Sequence, residues 1–107
     1  MQSFPYESLR EFTTNVFLGM GCPPADAKLA TDVLLAADLR GIDSHGVARL
    51  TSYVRLWEQG RINATPSTSI VHETPSTAVI DADAGLGLVV APEAMDLAIK
   101  KAAEVGT

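Results

Sequence analysis

The hydrophobic periodicity of this chain switches near Pro66, and that switch limits what it can fold into. Before it, apolar residues recur every three or four positions, the spacing of one helix face. After it come two short runs rich in Val, Ile and Thr, and then helical spacing returns. Leu9, Phe12, Val16, Phe17 and Met20 predict a first helix from Pro5 or Tyr6 to Met20, with Gly19 and Gly21 at its exit. Pro23 and Pro24 suit the opening turn of a second helix that ends at Leu39, and its Ala- and Leu-rich circumference predicts burial on more than one side. Gly41-Ile42-Asp43-Ser44-His45-Gly46 interrupts the pattern. Asp43 and Ser44 are both N-cap residue types, so a third helix is expected from about Ser44 to Gln59, closed by Gly60.

Ile62 to Pro66 reads as a linker. Ser67–His72 and Thr77–Ile80 read as two strands joined by a tight connection. A loop over 81–87 leads to an amphipathic helix from about Leu88 to Val105, with Pro92 in its first turn. Its expected inner face is Val90, Ala94, Leu97, Ala98, Ala102 and Val105, with Lys100 and Lys101 outside. The fold class is α/β, α+β-like over this stretch: a three-helix subdomain over residues 1–66, then over 67–107 the first strands and helix of a sheet-containing domain. Two strands make a marginal sheet, so the chain reads as the N-terminal fragment of a longer protein.

Composition narrows the function. The 107 residues are 47% hydrophobic, a globular value. Lys and Arg number 8 against 13 Asp and Glu, a net charge of −5. Without a basic run, the chain is a poor partner for nucleic acid or for an anionic membrane surface. No stretch approaches the ~20 apolar residues that span a bilayer. The N-terminus lacks a basic start followed by an apolar block, so the compartment reading is cytosol. One cysteine excludes an internal disulfide and any multi-cysteine zinc site, and Cys22 reads as a plain loop thiol. Asp81 and Asp83 read as solvated acids and His72 as a solvated strand-end histidine; no metal is expected.

The chemistry concentrates in Ser44, His45, Arg49 and Tyr53. If the third helix begins near Ser44, then His45, Arg49 and Tyr53 fall at i, i+4 and i+8, a stripe that drifts only about 40° per step. An imidazole, a guanidinium and a phenol on one stripe suit a small carboxylic acid. Arginine offers a bidentate fork to the carboxylate, and histidine exchanges a proton with a neighbouring oxygen near neutral pH. The plainer reading stands beside it: His45 as part of a cap, Arg49 paired to a surface acid, Tyr53 and Trp57 as core aromatics. Gly85-Leu86-Gly87-Leu88-Val89-Val90 has the look of a dinucleotide loop, yet Val90 stands where a small residue is required, so a plain strand-to-helix turn is the better account.

Ala37-Asp38-Leu39-Arg40-Gly41-Ile42-Asp43-Ser44-His45-Gly46, followed by Arg49-Leu50 and Tyr53, resembles the signature of the type-2 malate/L-lactate dehydrogenase family, whose fold is not a Rossmann fold. Gly60-Arg61-Ile62-Asn63, Thr74 to Asp81, Gly85-Leu86-Gly87 and Ala98-Ile99-Lys100-Lys101-Ala102 resemble its later segments. The resemblance implies a mixed-sheet dehydrogenase domain after the helices and hydride transfer between NAD or NADP and a small 2-oxo or 2-hydroxy acid. It implies Ser44 and His45 as catalytic residues, Arg49 as the carboxylate anchor and Tyr53 as a pocket wall. Most cofactor-binding residues, and a second acid/base histidine, are implied to lie beyond Thr107. A homodimer in the cytoplasm is implied as well. Leu88 departs from the pattern, where a polar residue is expected. The competing function is a helical protein-interaction domain without enzymatic activity.

Overall fold

Proline and glycine punctuation sets most of the element boundaries. The computed structural model describes residues 2–107. Helix α1 spans Tyr6–Gly19 and α2 spans Pro24–Leu39, with Pro24 in the first helical position, where its missing N–H costs nothing. At the end of α2, Gly41 N–H donates to the Asp38 carbonyl at 3.0 Å and Ile42 N–H to the Ala37 carbonyl at 2.8 Å, the paired bonds of a Schellman close. Two 3₁₀ turns follow, Asp43–His45 and Val47–Arg49, and then α3, Leu50–Glu58. Strands β1 (Ser69–Glu73) and β2 (Ala78–Asp81) pair antiparallel, with Ser69 opposite Asp81, Glu73 opposite Ala78 and a bulge between Ile70 and His72. Helix α4, Gly87–Val105, completes the fold.

The order three helices, two strands, one helix is the one expected from the sequence; several boundaries differ for identifiable reasons. The third helix begins at Leu50, because Gly46 adopts φ −95°, ψ −143° and divides the preceding segment into two short turns. Strand β1 starts at Ser69 instead of Ser67, since the Asp83 carboxylate takes the Ser67 N–H at 3.0 Å. Thr77 belongs to the hairpin turn: its N–H donates to Thr74 Oγ1 at 3.0 Å, and its carbonyl accepts the Thr74 N–H at 2.9 Å. Pro92 lies in the second turn of α4, because the helix already begins at Gly87.

Helix α2 is the spine. It packs against α1, both 3₁₀ turns and α4, and buries Ala27, Ala30, Thr31, Leu34 and Leu35. The core joins Phe17 of α1 and Met20 just past its end, Cys22, Ala27, Ala30 and Leu34, with Leu50 from α3 and Leu86 from the entry to α4. Cys22 is a free thiol inside that cluster, and burial, then the charge of Asp26, pushes its pKa up. On the outer side of the α1–α2 seam, Arg10 pairs with Asp32 at 3.1 Å, a solvent-screened contact that adds little to stability.

The inner face of α4 differs from the amphipathic expectation. Val90 is buried and Ala94 and Leu97 are half-buried, but Ala98, Ala102 and Val105 are exposed. Lys101, expected outside, is only 8% exposed. Its ammonium lies 2.7 Å from Glu73 Oε1 and donates to the Thr74 carbonyl at 2.7 Å. The hairpin turn therefore seats over Lys101 and draws it inward, which a hydrophobicity pattern cannot register. Among the described residues, no helix is long and apolar enough to cross a membrane.

Candidate active site

The segment from Asp43 to Arg49 is bent into two tight turns in place of a helical stripe. The expected i, i+4, i+8 alignment of His45, Arg49 and Tyr53 on one continuous helix is therefore incorrect. Its physical cause is competition for a donor. In a helix begun at Ser44, the Val47 N–H would be a first-turn donor awaiting a local cap. Here Asp38, at the end of α2, accepts it through Oδ2 at 2.8 Å, and α3 starts only after that anchored turn.

The bent segment still brings three of the four residues together. Ser44 Oγ lies 2.8 Å from His45 Nδ1. Arg49 Nε donates to the Ser44 carbonyl at 2.8 Å. Ser44 is thus the hub: its hydroxyl meets the imidazole and its carbonyl meets the guanidinium. All three residues are exposed. Because Ser44 occupies Nδ1, Nε2 of the imidazole is the nitrogen free to meet a ligand oxygen. Nε of Arg49 is committed to Ser44, which leaves the terminal Nη1 and Nη2 of this exposed side chain as the pair that could grip a carboxylate in bidentate fashion. Tyr53 does not join this group through a hydrogen bond. It is half-buried and packs against the hydrophobic cluster.

Asp38 is the residue that sequence reasoning missed. It lies within the signature segment, but nothing in its spacing announces a role. The available signal was Gly46 immediately after Ser44-His45. A methyl group built on Gly46 would overlap the Asp38 carboxylate, so the backbone there must lack a side chain. Asp43, expected as a cap, makes no side-chain cap bond in either short turn.

The glycine turn before α4 has a different use. A Cβ on Gly85 would sit 2.7 Å from Pro66 Cγ and 3.0 Å from Val90 Cγ2. The space over that glycine is filled by protein, which leaves no cradle for a pyrophosphate of the kind a dinucleotide loop provides. Among the described residues, no three His, Cys, Asp or Glu side chains converge as a metal site would require.

The malate/L-lactate dehydrogenase family model matches residues 4–107. An L-sulfolactate dehydrogenase from Methanocaldococcus jannaschii is 47% identical over 100 residues, covering 94% of this chain and 29% of that relative. A hydroxycarboxylate dehydrogenase B from Escherichia coli is 42% identical over 103 residues, covering 96% of this chain and 28% of the relative. The solved structure of malate dehydrogenase from Pyrococcus horikoshii superposes with a TM-score of 0.91 at 45% identity, over 98% of this chain and 30% of that one. The chain thus spans about three-tenths of the length of the curated relatives it matches.

Proposed function

We propose, because the chain belongs to the malate/L-lactate dehydrogenase family, that it supplies the acid-handling part of an oxidoreductase. The reaction is hydride transfer between NAD(P)H and a small 2-oxo acid, with the 2-hydroxy acid as product or substrate. The observation that carries this reading is the hydrogen-bonded group Ser44, His45 and Arg49, an acid/base beside a carboxylate fork.

Arg49 binds the substrate carboxylate through Nη1 and Nη2, which turns the adjacent carbonyl toward His45. Reduction adds a hydride to the carbonyl carbon and a proton to its oxygen. His45 Nε2 delivers that proton where negative charge develops, and takes it back in the oxidative direction. Ser44 holds the imidazole through Nδ1, and its carbonyl holds the guanidinium, so one residue sets the spacing between anchor and proton donor. Tyr53 lines the pocket from its place against the hydrophobic cluster. The nicotinamide supplies the hydride when bound. The turn at 85–87 does not fit its pyrophosphate, and no residue of 2–107 is assigned to hold it. The working form is a cytoplasmic homodimer.

A panel of 2-oxo acids with NADH and NADPH tests the reading on the full-length protein. Arg49→Lys should raise the KM for the oxo acid at least about tenfold, since the fork and the tether to Ser44 are both lost. His45→Ala should lower kcat by about 10²–10⁴. An unchanged KM in the first variant removes Arg49 from the pocket; full turnover in the second removes His45 as the proton donor.

A further inference from the structure

The two short turns of the Ser44–Arg49 segment are not capped by their own sequence neighbours. Neither 3₁₀ turn has a local side-chain cap, and the side chain that reaches the second one comes from α2: Asp38 Oδ2, accepting the Val47 N–H at 2.8 Å. The placement of that carboxylate is informative. Asp38 lies in the last turn of α2, where the carbonyl end of the helix dipole opposes negative charge, and that turn contains no basic residue to compensate. Its own helix disfavours it. What favours it is the N-terminal end of the Val47–Arg49 turn, which runs without a break into α3 and so offers both a first-turn N–H that has no partner within the helix and the positive end of a dipole. Gly46 completes the fit, because only a residue without a side chain lets the backbone lie against the carboxylate. The anchored residue, Val47, stands two positions after His45 and two before Arg49.

We propose that Asp38 is a positioning residue for the Ser44–His45–Arg49 group: its carboxylate, seated on Gly46 and bonded to Val47, fixes the direction in which imidazole and guanidinium are presented. This rests on the reading of those three residues as the acid-handling site. Asp38 touches no reacting atom; it acts through the backbone of residues 46 and 47.

The test uses the full-length protein and the variants Asp38→Ala, Asp38→Asn and Asp38→Glu. With a 2-oxo acid and NADH or NADPH, Asp38→Ala should lose on the order of 10²-fold in kcat, the cost of a misplaced catalytic group, and should raise KM as well. Asp38→Asn keeps an acceptor oxygen at the same reach and should recover much of that loss. Asp38→Glu keeps the charge but moves the acceptor and should not. A purely structural role would lower the melting temperature and leave kcat and KM of the folded enzyme unchanged, and that result overturns the proposal.

A second readout does not depend on activity. In protein labelled with ¹⁵N at valine and histidine, Asp38→Ala should speed hydrogen exchange of the Val47 amide about tenfold and shift the His45 ring nitrogens as Ser44 moves. Unchanged exchange and unchanged ring signals overturn the proposal even if the wild type reduces no oxo acid. An inactive wild type that shows both changes overturns the enzymatic reading alone. If Asp38→Ala does not fold, the contrast between Asp38→Asn and Asp38→Glu decides the matter by the same measurements.

Discussion

Gly46→Ala and Asp38→Ala form a cycle whose outcome the structure fixes in sign. In the wild type, the new methyl group overlaps the Asp38 carboxylate, which must withdraw from the Val47 N–H it accepts at 2.8 Å. Losing a hydrogen bond to a charged group costs about 1.5–3 kcal/mol. Replacing glycine by alanine returns about 0.4–1 kcal/mol by narrowing the unfolded ensemble. The net expectation is a loss of about 1–2 kcal/mol. In an Asp38→Ala background the clash and the hydrogen bond are both already gone, so Gly46→Ala should be neutral or stabilising by up to about 1 kcal/mol. The two substitutions should therefore couple by about 1.5–3 kcal/mol, far above the few tenths seen for independent sites. Urea denaturation of the four proteins at one pH, followed by circular dichroism, measures this. Additive effects, or Gly46→Ala equally harmful in both backgrounds, would refute the claim that the carboxylate and the bare glycine are one device.

Three further outcomes follow from the fold. Phe17 is fully buried in the core, so Phe17→Ala should cost about 3–5 kcal/mol in urea denaturation; a cost under about 1 kcal/mol would mean that the cluster is not the stabilising core. Gly85→Ala drives a methyl group to 2.7 Å from Pro66 Cγ and should cost about 1–3 kcal/mol through overpacking, whereas a silent substitution would show that the turn has room for a ligand after all. Lys101, through its hydrogen bond and then its charge, holds the Glu73 carboxyl below the usual carboxylate range. A lowered folded-state pKa contributes stability above the unfolded value of about 4.3, lost as the pH falls through the lower folded value. Glu73→Gln should therefore lose less of its melting temperature than the wild type between pH 7 and about pH 3, and parallel acid limbs would argue against the pairing.

What could be read in the sequence was whatever has a period or a punctuation mark. Helix α2 was placed by Pro24 and by its Ala- and Leu-rich circumference, and both strands by their β-branched runs. The Ser44-His45-Arg49 set stands out in the sequence as a candidate group, because its residue types are unusual together. The way the three meet does not. Spacing predicted a stripe, whereas the actual connection passes through the hydroxyl and the carbonyl of Ser44. The deciding contact, Asp38 to Val47, joins residues nine apart across a chain reversal, and no periodicity encodes it. Lys101 failed for a similar reason. A lysine on a helix is assigned to solvent by its charge, yet the Thr74 carbonyl and Glu73 give that charge partners under the hairpin turn.

The burial of Cys22 has a practical consequence for anyone wishing to watch this molecule move. The thiol is 5% exposed and its ionisation is pushed up, so little thiolate is present at neutral pH to react with a maleimide. It is the single cysteine of these 107 residues. A second cysteine introduced at exposed Ser52 on α3 would accept a fluorophore while the native thiol stays dark. The helix that leads away from Arg49 could then be followed by one probe at one address, with the core left as it is.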